Sequence, residues 1–469
     1  MKKRTHTALL ISFFVIGLIS QSLGQGYRIE ATLKGFKDSS FVLGHYSYSN
    51  KQFVAKDTAK ADANGHMVFE GNTALPGGLY LLLFPGNQKW VEIVYSGKET
   101  NFSLEADTTD LVGSMKIKGS KDNQLFYAYQ NELKKGMQQM EAFSKIKTVD
   151  AAVKMKEAQD GFKAYRDNFF KENSDSFTTK LFQMSSDPEV PAAPKLANGK
   201  TDSLWVFNYY KAHYWDAVDF SDDRILRTPF LESKIDRYIK NLVVQTPDSL
   251  IKDTDWLISK ASSNKDVKSY LVFYIINQYE NPKTVGTEAL WVHMANKYYL
   301  SGDMGASEDV KKRISLKVNT LKYLLVGKTF PALGVSDPTG KKINLQALDA
   351  NYTVLFFYAA TCGHCKEASP ILKSFYEKNK TSGVKVIAID TEHNQEAWKS
   401  FITTYHLDGL INGFDPLNQI DFNSKFDVVT TPTIYVLDKN KKIIARKMPV
   451  EQLDDFLNYY RKKQLASAK

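Results

Sequence analysis

Two cysteines stand in 469 residues, Cys362 and Cys365, and so small a number excludes a disulfide-stapled scaffold. Long apolar runs are scarce too: after residue 24 no stretch is long and apolar enough to cross a bilayer. There are eight histidines, and His45, His66, His213 and His293 have no partners at metal-ligand spacing. No lysine- or arginine-rich block occurs. The basic doublets Lys341-Lys342, Lys441-Lys442 and Lys462-Lys463 are scattered, so the net charge of +10 reads as solvated surface rather than a nucleic-acid footprint. Internal repeats and low-complexity tracts are absent.

What is present divides into four stretches. Residues 1–24 carry a basic start (Lys2, Lys3, Arg4), an apolar run over 8–19 and small residues at Ser22-Leu23-Gly24. This is the pattern of a secretory signal peptide cut near Gly24–Gln25, and it predicts a periplasmic protein. An uncleaved membrane anchor is the alternative, but the run is short for a span of about 20 residues. No cysteine follows it, so lipoprotein anchoring is not expected. Residues 25–119 alternate apolar and polar in short runs at 27–33, 41–46, 67–69, 79–84 and 90–95. Turn signals such as Asn64-Gly65, Pro76-Gly77-Gly78 and Pro85-Gly86-Asn87 separate them, which predicts a β-sandwich. Residues 120–325 turn helical. Helices are expected at 122–140 and 151–171, a proline-bearing break at 185–201, and an aromatic-dense helix at 205–215 that reads as core or domain contact. Residues 326–469 alternate strand and helix, with strands at 343–345, 352–358, 384–390, 433–437 and 442–446. The helices fall at 362–380, 394–405, 418–426 and 450–463. The expected fold class is multi-domain: an N-terminal all-β sandwich, an all-α middle region and a C-terminal α/β domain.

Both cysteines fall within residues 361–370, Thr-Cys-Gly-His-Cys-Lys-Glu-Ala-Ser-Pro. The apolar run 352–358 should enter this stretch as a buried strand. A helix over 369–379 should leave it, with Ile371, Leu372, Phe375 and Tyr376 on one face. Cys362 then sits at a helix N-terminus, where free N–H groups and the helix dipole favour its thiolate. Cys365, one turn further in, should be the more buried, as a resolving thiol would be. In an oxidising compartment a lone close pair reads as working chemistry rather than a staple.

Residues 326–465 resemble the thioredoxin superfamily, and within it the exported TlpA/ResA-like branch. The resemblance rests on Gly-Lys-Thr-Phe-Pro at 327–331 with the segment 337–345, on Cys362-Gly363-His364-Cys365-Lys366 with Pro370, on the strand 384–390, and on Thr431-Pro432-Thr433 within 429–438. It implies a thioredoxin fold and a thiol-disulfide oxidoreductase with no cofactor and no metal. Cys362 attacks a client disulfide and Cys365 resolves the mixed disulfide. It also implies a cis Thr431–Pro432 bond, with Thr431 and Pro432 offering a backbone edge to the client. Gly363-His364 is the dipeptide of protein disulfide isomerases. Protonated His364 would stabilise the Cys362 thiolate and make the disulfide more oxidising. The implied partners are disulfide-containing exported proteins and a membrane redox partner that recycles the dithiol. Oligomeric state and net direction stay open.

Three positions depart from the family pattern. Thr361 replaces a tryptophan, Phe356 a buried acid, and Ala368 a glutamate. Water, Lys366 and Glu367 are left as candidate proton acceptors for Cys365. Residues 27–119 resemble a small β domain of unknown function that often precedes TlpA-like domains. The stretch 214–230 resembles a helical domain of the same architectures. An alternative reading is a client- or partner-binding protein whose thioredoxin domain is redox-passive. A metal chaperone would need a third ligand, with His393 and His406 as the options. A peroxiredoxin is disfavoured, because Ala359 and Leu355 stand where such enzymes need threonine and proline.

Overall fold

A computed structural model describes residues 26–46, 53–86, 89–282 and 284–467. The expected signal peptide and its cleavage point lie outside the described residues. The chain forms two compact units that divide between Leu231 and Glu232.

In the first unit eight strands precede the helices: β1 (Tyr27–Lys34), β2 (Ser40–Tyr46), β3 (Phe53–Lys60), β4 (His66–Gly71), β5 (Gly78–Leu83), β6 (Trp90–Tyr95), β7 (Asn101–Asp107) and β8 (Lys116–Lys118). They form two four-stranded sheets, ordered β4-β1-β7-β8 and β3-β2-β5-β6. Period-2 alternation sets the buried face: Tyr27, Ile29, Ala31 and Leu33 of β1 are buried, while Arg28 and Lys34 are exposed. β3 lacks this signature because it is an edge strand with no buried residue. Four helices follow, α1 (Lys121–Ser144), α2 (Val149–Glu172), α3 (Phe177–Ser185) and α4 (Ser203–His213). Each begins at a side-chain cap, namely Ser120, Thr148, Ser176 and Asp202. Asn123 of α1 pairs with both backbone groups of Val94 in β6 at 2.8 Å. The aromatic-dense helix α4 is not core. None of its residues is buried, and the buried aromatics Tyr214 and Trp215 lie just past its end.

The second unit opens with α5 (Phe230–Arg237), whose first two residues fall in the first unit, α6 (Pro247–Lys260), α7 (Lys265–Gln278), α8 (Glu288–Met294) and α9 (Glu308–Leu321). Its α/β part contains β9 (Tyr352–Tyr358), α10 (Gly363–Asn379), β10 (Val384–Asp390), α11 (Gln395–Thr404), β11 (Ile411–Gly413), α12 (Phe422–Phe426), β12 (Thr433–Asp438), β13 (Ile443–Arg446) and α13 (Leu453–Ser467). The sheet order is β11-β10-β9-β12-β13, with β9, β10 and β11 parallel and β12 and β13 antiparallel additions. Every residue of the central strand β9 is buried, so both faces of the sheet are covered. Val354, Phe356 and Tyr358 enter one core with Cys365, Leu372 and Trp398. Leu355 and Phe357 enter the other with Phe330, Phe426 and Tyr435. This is the thioredoxin-like arrangement, with the cysteine-bearing helix leaving the central strand.

Two expected elements differ. Residues 343–345 form no strand. The Asp337 carboxylate accepts the N–H groups of Thr339 and Lys341, and the chain folds back so soon that Ser336 makes only single bridges to Lys342 and Phe414. The helix expected at 418–426 begins later, because Asp415 takes the N–H groups of Gln419 and Ile420 and Asp421 caps what remains. Among the described residues no helix is long and apolar enough to cross a membrane.

Candidate active site

The geometry of the cysteine pair follows from a buried strand running into a helix start. After β9 the chain turns through Ala359–Thr361, and Cys362 takes the N-cap position of α10 with extended backbone (φ −73°, ψ 123°). Its Sγ accepts the Cys365 N–H at 3.4 Å and donates to the Thr431 carbonyl at 3.3 Å. Thr431 is brought there from 69 residues away by the pairing of β12 with β9, and its bond to Pro432 is cis. Cys362 is partly exposed and Cys365 fully buried, and both thiols are free. Pro370 lies inside α10 and can give no N–H to the carbonyl one turn back.

Opposed forces act on the two sulfurs. Burial pushes Cys362 up, but hydrogen bonding to Cys365 and Thr431 and the backbone N–H groups of Cys365 and His364 outweigh it, leaving the thiol below its ordinary value. Burial, reinforced by the bond to Cys362, pushes Cys365 up to about 12. One sulfur is therefore prepared as nucleophile and the other holds its proton.

The remaining expected residues sort by the helix angle. His364 has its side chain 86% exposed, with Nδ1 3.4 Å from Glu367 Oε2, so its backbone N–H rather than its ring faces the Cys362 sulfur. Gly363 and Lys366 are also exposed. Lys366 and Glu367 lie about 100° and 200° around the helix from Cys365, and the structure brings neither to the buried sulfur. Thr431 and Pro432 are partly exposed. Beside them opens a groove of about 600 Å³ lined by Ala359, Thr391, His393, Val428, Val429 and Thr430 among others. Thr361, in the place of a tryptophan, donates through N–H and hydroxyl to Glu392, tying the cysteine turn to the loop after β10. Among the described residues no three His, Cys, Asp or Glu side chains group so as to hold a metal ion.

Sequence reasoning missed Asp390 and Tyr358. Asp390 ends β10 and is completely buried. Its Oδ1 accepts the Glu392 N–H at 3.1 Å, and its Oδ2 has no hydrogen-bond partner among the described residues. The buried hydroxyl of Tyr358, its register partner in β9, has the Trp398 indole as its neighbour and makes no hydrogen bond to Asp390. Burial, opposed by backbone N–H groups and aided by Glu392, pushes the Asp390 carboxyl up to about 7. A usable signal was an aspartate closing an otherwise apolar run at the carboxyl end of a parallel strand, where α/β sheets place their sites.

Comparison with known proteins matches this geometry. Residues 326–446 match the AhpC/TSA family, residues 27–126 a domain of unknown function (DUF4369), and residues 138–321 another (DUF5106). A thiol-disulfide oxidoreductase ResA of Bacillus thuringiensis subsp. konkukian (strain 97-27) is 31% identical over 135 residues, covering 28% of this chain and 76% of that protein. The ResA of Bacillus subtilis (strain 168) is 24% identical over 135 residues, with 28% and 74% covered. Among solved structures, a domain of a possible thiol-disulfide isomerase from Cytophaga hutchinsonii ATCC 33406 is 41% identical, covering 30% of this chain and 97% of that one with a TM-score of 0.29. With its cysteine pair on a thioredoxin-like domain, the chain belongs to the family of ResA-like thiol-disulfide oxidoreductases.

Proposed function

We propose that this protein is an exported, periplasmic oxidoreductase that reduces or isomerises client protein disulfides through Cys362-Gly363-His364-Cys365. The observation that carries the reading is the division of labour between the thiols: a partly exposed Cys362 with depressed pKa over a buried Cys365 that keeps its proton. The Cys362 thiolate attacks one sulfur of the client disulfide, and the other client sulfur leaves as a thiolate. Cys365, deprotonated, then attacks Cys362 Sγ. The Cys362–client bond breaks, the second client thiolate leaves, and the two enzyme sulfurs join. The client gains two electrons and the enzyme loses them. A membrane electron donor would return the dithiol to its reduced form. The Thr431 backbone beside Cys362 gives an extended client segment an edge to pair with.

The test is a pair of variants of the full chain incubated with a disulfide-bonded protein. Cys362→Ser should lose disulfide reduction to background, while Cys365→Ser should accumulate a mixed disulfide visible on a non-reducing gel. If both variants kept wild-type behaviour, the thiol-exchange reading would fail and a redox-passive binding role would take its place.

A further inference from the structure

A nucleophile at a helix N-cap is only as well placed as the turn that leads into it. That turn runs from the end of β9 through Ala359, Ala360 and Thr361 to Cys362. Thr361 is exposed and stands where the family pattern has a tryptophan, so no large ring packs beside the nucleophile. Hydrogen bonds hold the turn instead. The Cys362 N–H donates to the Ala359 carbonyl at 3.0 Å. Thr361 gives its N–H to Glu392 Oε2 at 3.1 Å and its hydroxyl to Glu392 Oε1. These bonds lie on either side of the Thr361–Cys362 peptide and fix its plane. With it they fix the backbone angles that carry Cys362 Sγ to the N–H groups of His364 and Cys365.

Glu392 is itself held from behind. Thr391 donates its N–H at 2.8 Å and its hydroxyl at 3.0 Å to the Tyr358 carbonyl, and the Glu392 N–H donates to Asp390 Oδ1 at 3.1 Å. β10 lies parallel to β9 with Asp390 opposite Tyr358, so the two strands end together. The loop leaving one strand therefore braces the turn leaving the other. The Glu392 carboxylate is not the cap of the helix that follows, because α11 takes Asn394 for that purpose. Both of its oxygens go to the residue before the nucleophile.

Resting on the thiol-exchange reading above, we propose that Glu392 is a positioning residue for the attacking sulfur: by accepting both donors of Thr361 it fixes the turn that sets Cys362 Sγ at the N–H groups of α10. It acts through Thr361 and touches neither reacting sulfur. Hydrogen bonds to an ionised acceptor are roughly twice as strong as neutral ones, so two of them can do what ring packing would do. Loosening the turn lets Sγ drift from those N–H groups, and the thiol then returns toward its ordinary value. A carboxylate near a thiolate also repels it, and this second effect has the opposite sign. The hydrogen bonds outweigh it, because they act on the sulfur directly while the charge acts from the solvent-facing side of the turn, where water and salt screen it. Around Cys362 the titratable groups are Cys365 on α10 and, through Thr361, Glu392. The turn before β12 presents the uncharged Thr431 carbonyl, and the exposed His364 ring pairs with Glu367.

The experiment follows alkylation of Cys362 by iodoacetamide in the reduced full chain from pH 5 to 10, with the potential of the cysteine pair read against glutathione buffers. Glu392→Gln keeps the shape but turns an amide NH2 toward one of the two Thr361 donors, so at most one bond survives. It should slow alkylation about 3- to 10-fold at pH 6 and move the profile upward, with the rates converging at the alkaline end where the thiol is ionised in both. The disulfide should become less oxidising, since the thiolate it yields is less stabilised. Thr361→Val loses only the hydroxyl bond. It should move both readouts the same way by less, and it serves if the glutamine variant does not fold. Thr361→Ser keeps both donors and should stay with wild type. An unmoved profile would overturn the proposal. So would a downward move, which would make the carboxylate a charge against the thiolate rather than a brace. Alkylation needs no client, so a wild-type chain with an acidic Cys362 that reduced no client disulfide would overturn the thiol-exchange reading instead, a result distinct from an alkylation profile that ignores Glu392.

Discussion

Asp427 and Asp390 are both buried carboxylates of the same α/β domain, and they are treated in opposite ways. Asp427 sits between α12 and the segment leading to Pro432, bonded to Arg446 and, at 2.7 Å, to Lys447. Arg446 is itself buried, reaches Glu288 of α8 at 3.5 Å, and lies over the Tyr435 ring. Charge is matched there, and the matched set anchors the loop that presents Thr431. Among the described residues no cation pairs with Asp390, and one of its oxygens is left without a bond. Pairing fixes a charge, whereas leaving it unpaired in a dry site keeps its proton affinity adjustable. The same fold thus uses one carboxylate as a fastening and leaves the other unmatched.

The sharpest way to break the comparison is to remove the cation from the matched site. Arg446→Met leaves Asp427 and Glu288 buried with Lys447 as the remaining partner, and should destabilise the domain by about 3–5 kcal/mol, the usual result of stripping one member from a buried ion pair. Hydrogen exchange of the β12 amides should show the loss. Unchanged protection would mean that the cluster does not anchor this edge of the sheet.

At the unmatched site the sign reverses. An aspartate ionises near 3.8 ordinarily and near 7 in Asp390. Between those values the folded chain holds a proton that the unfolded chain has released, so stability falls as pH rises through the window. The contribution is complete below the lower value and gone above the upper one. Asp390→Asn cannot ionise. It should match wild type near pH 4 and exceed it at pH 8, by roughly 1–3 kcal/mol, because only the aspartate must ionise in a buried site as pH rises. Thermal unfolding at the two pH values measures the difference. A variant less stable at pH 8 would show that the carboxylate is satisfied after all.

Much of the site was legible because it is local in sequence. The spacing of Cys362 and Cys365, the apolar run of β9 and the segment Thr431-Pro432-Thr433 each announce themselves within ten residues. Asp390 did not, because its burial is decided by the register of β10 against β9, and an aspartate at a strand end reads as the first residue of a turn. The two-sheet N-terminal fold was legible from alternation at five of its strands, but not at the solvated edge strand β3, at β7, or at the three-residue β8. The aromatics of α4 misled in the other direction, since composition speaks of burial but not of which face a helix presents.

Glu367 supplies the third term of the comparison and the smallest effect. It is a carboxylate two residues from Cys365, nearer in sequence than either aspartate, yet its side chain is 80% exposed and its partner is the equally exposed His364. An ion pair in that setting is worth about 0–1 kcal/mol, since water screens both charges and two flexible side chains must be held together. Glu367→Gln should therefore leave stability within about 0.5 kcal/mol of wild type, as surface changes usually do, and leave the rate and pH profile of mixed-disulfide resolution where they were. Release of 5-thio-2-nitrobenzoate from its mixed disulfide with Cys362, followed from pH 5 to 9, reads this variant. A slowed, upward-shifted profile in Glu367→Gln would make solvent-side proton transfer the route and proximity in sequence a better guide than burial. The helix geometry argues for the opposite result: about 200° of rotation separates Glu367 from Cys365, so the carboxylate faces solvent while the sulfur is fully buried.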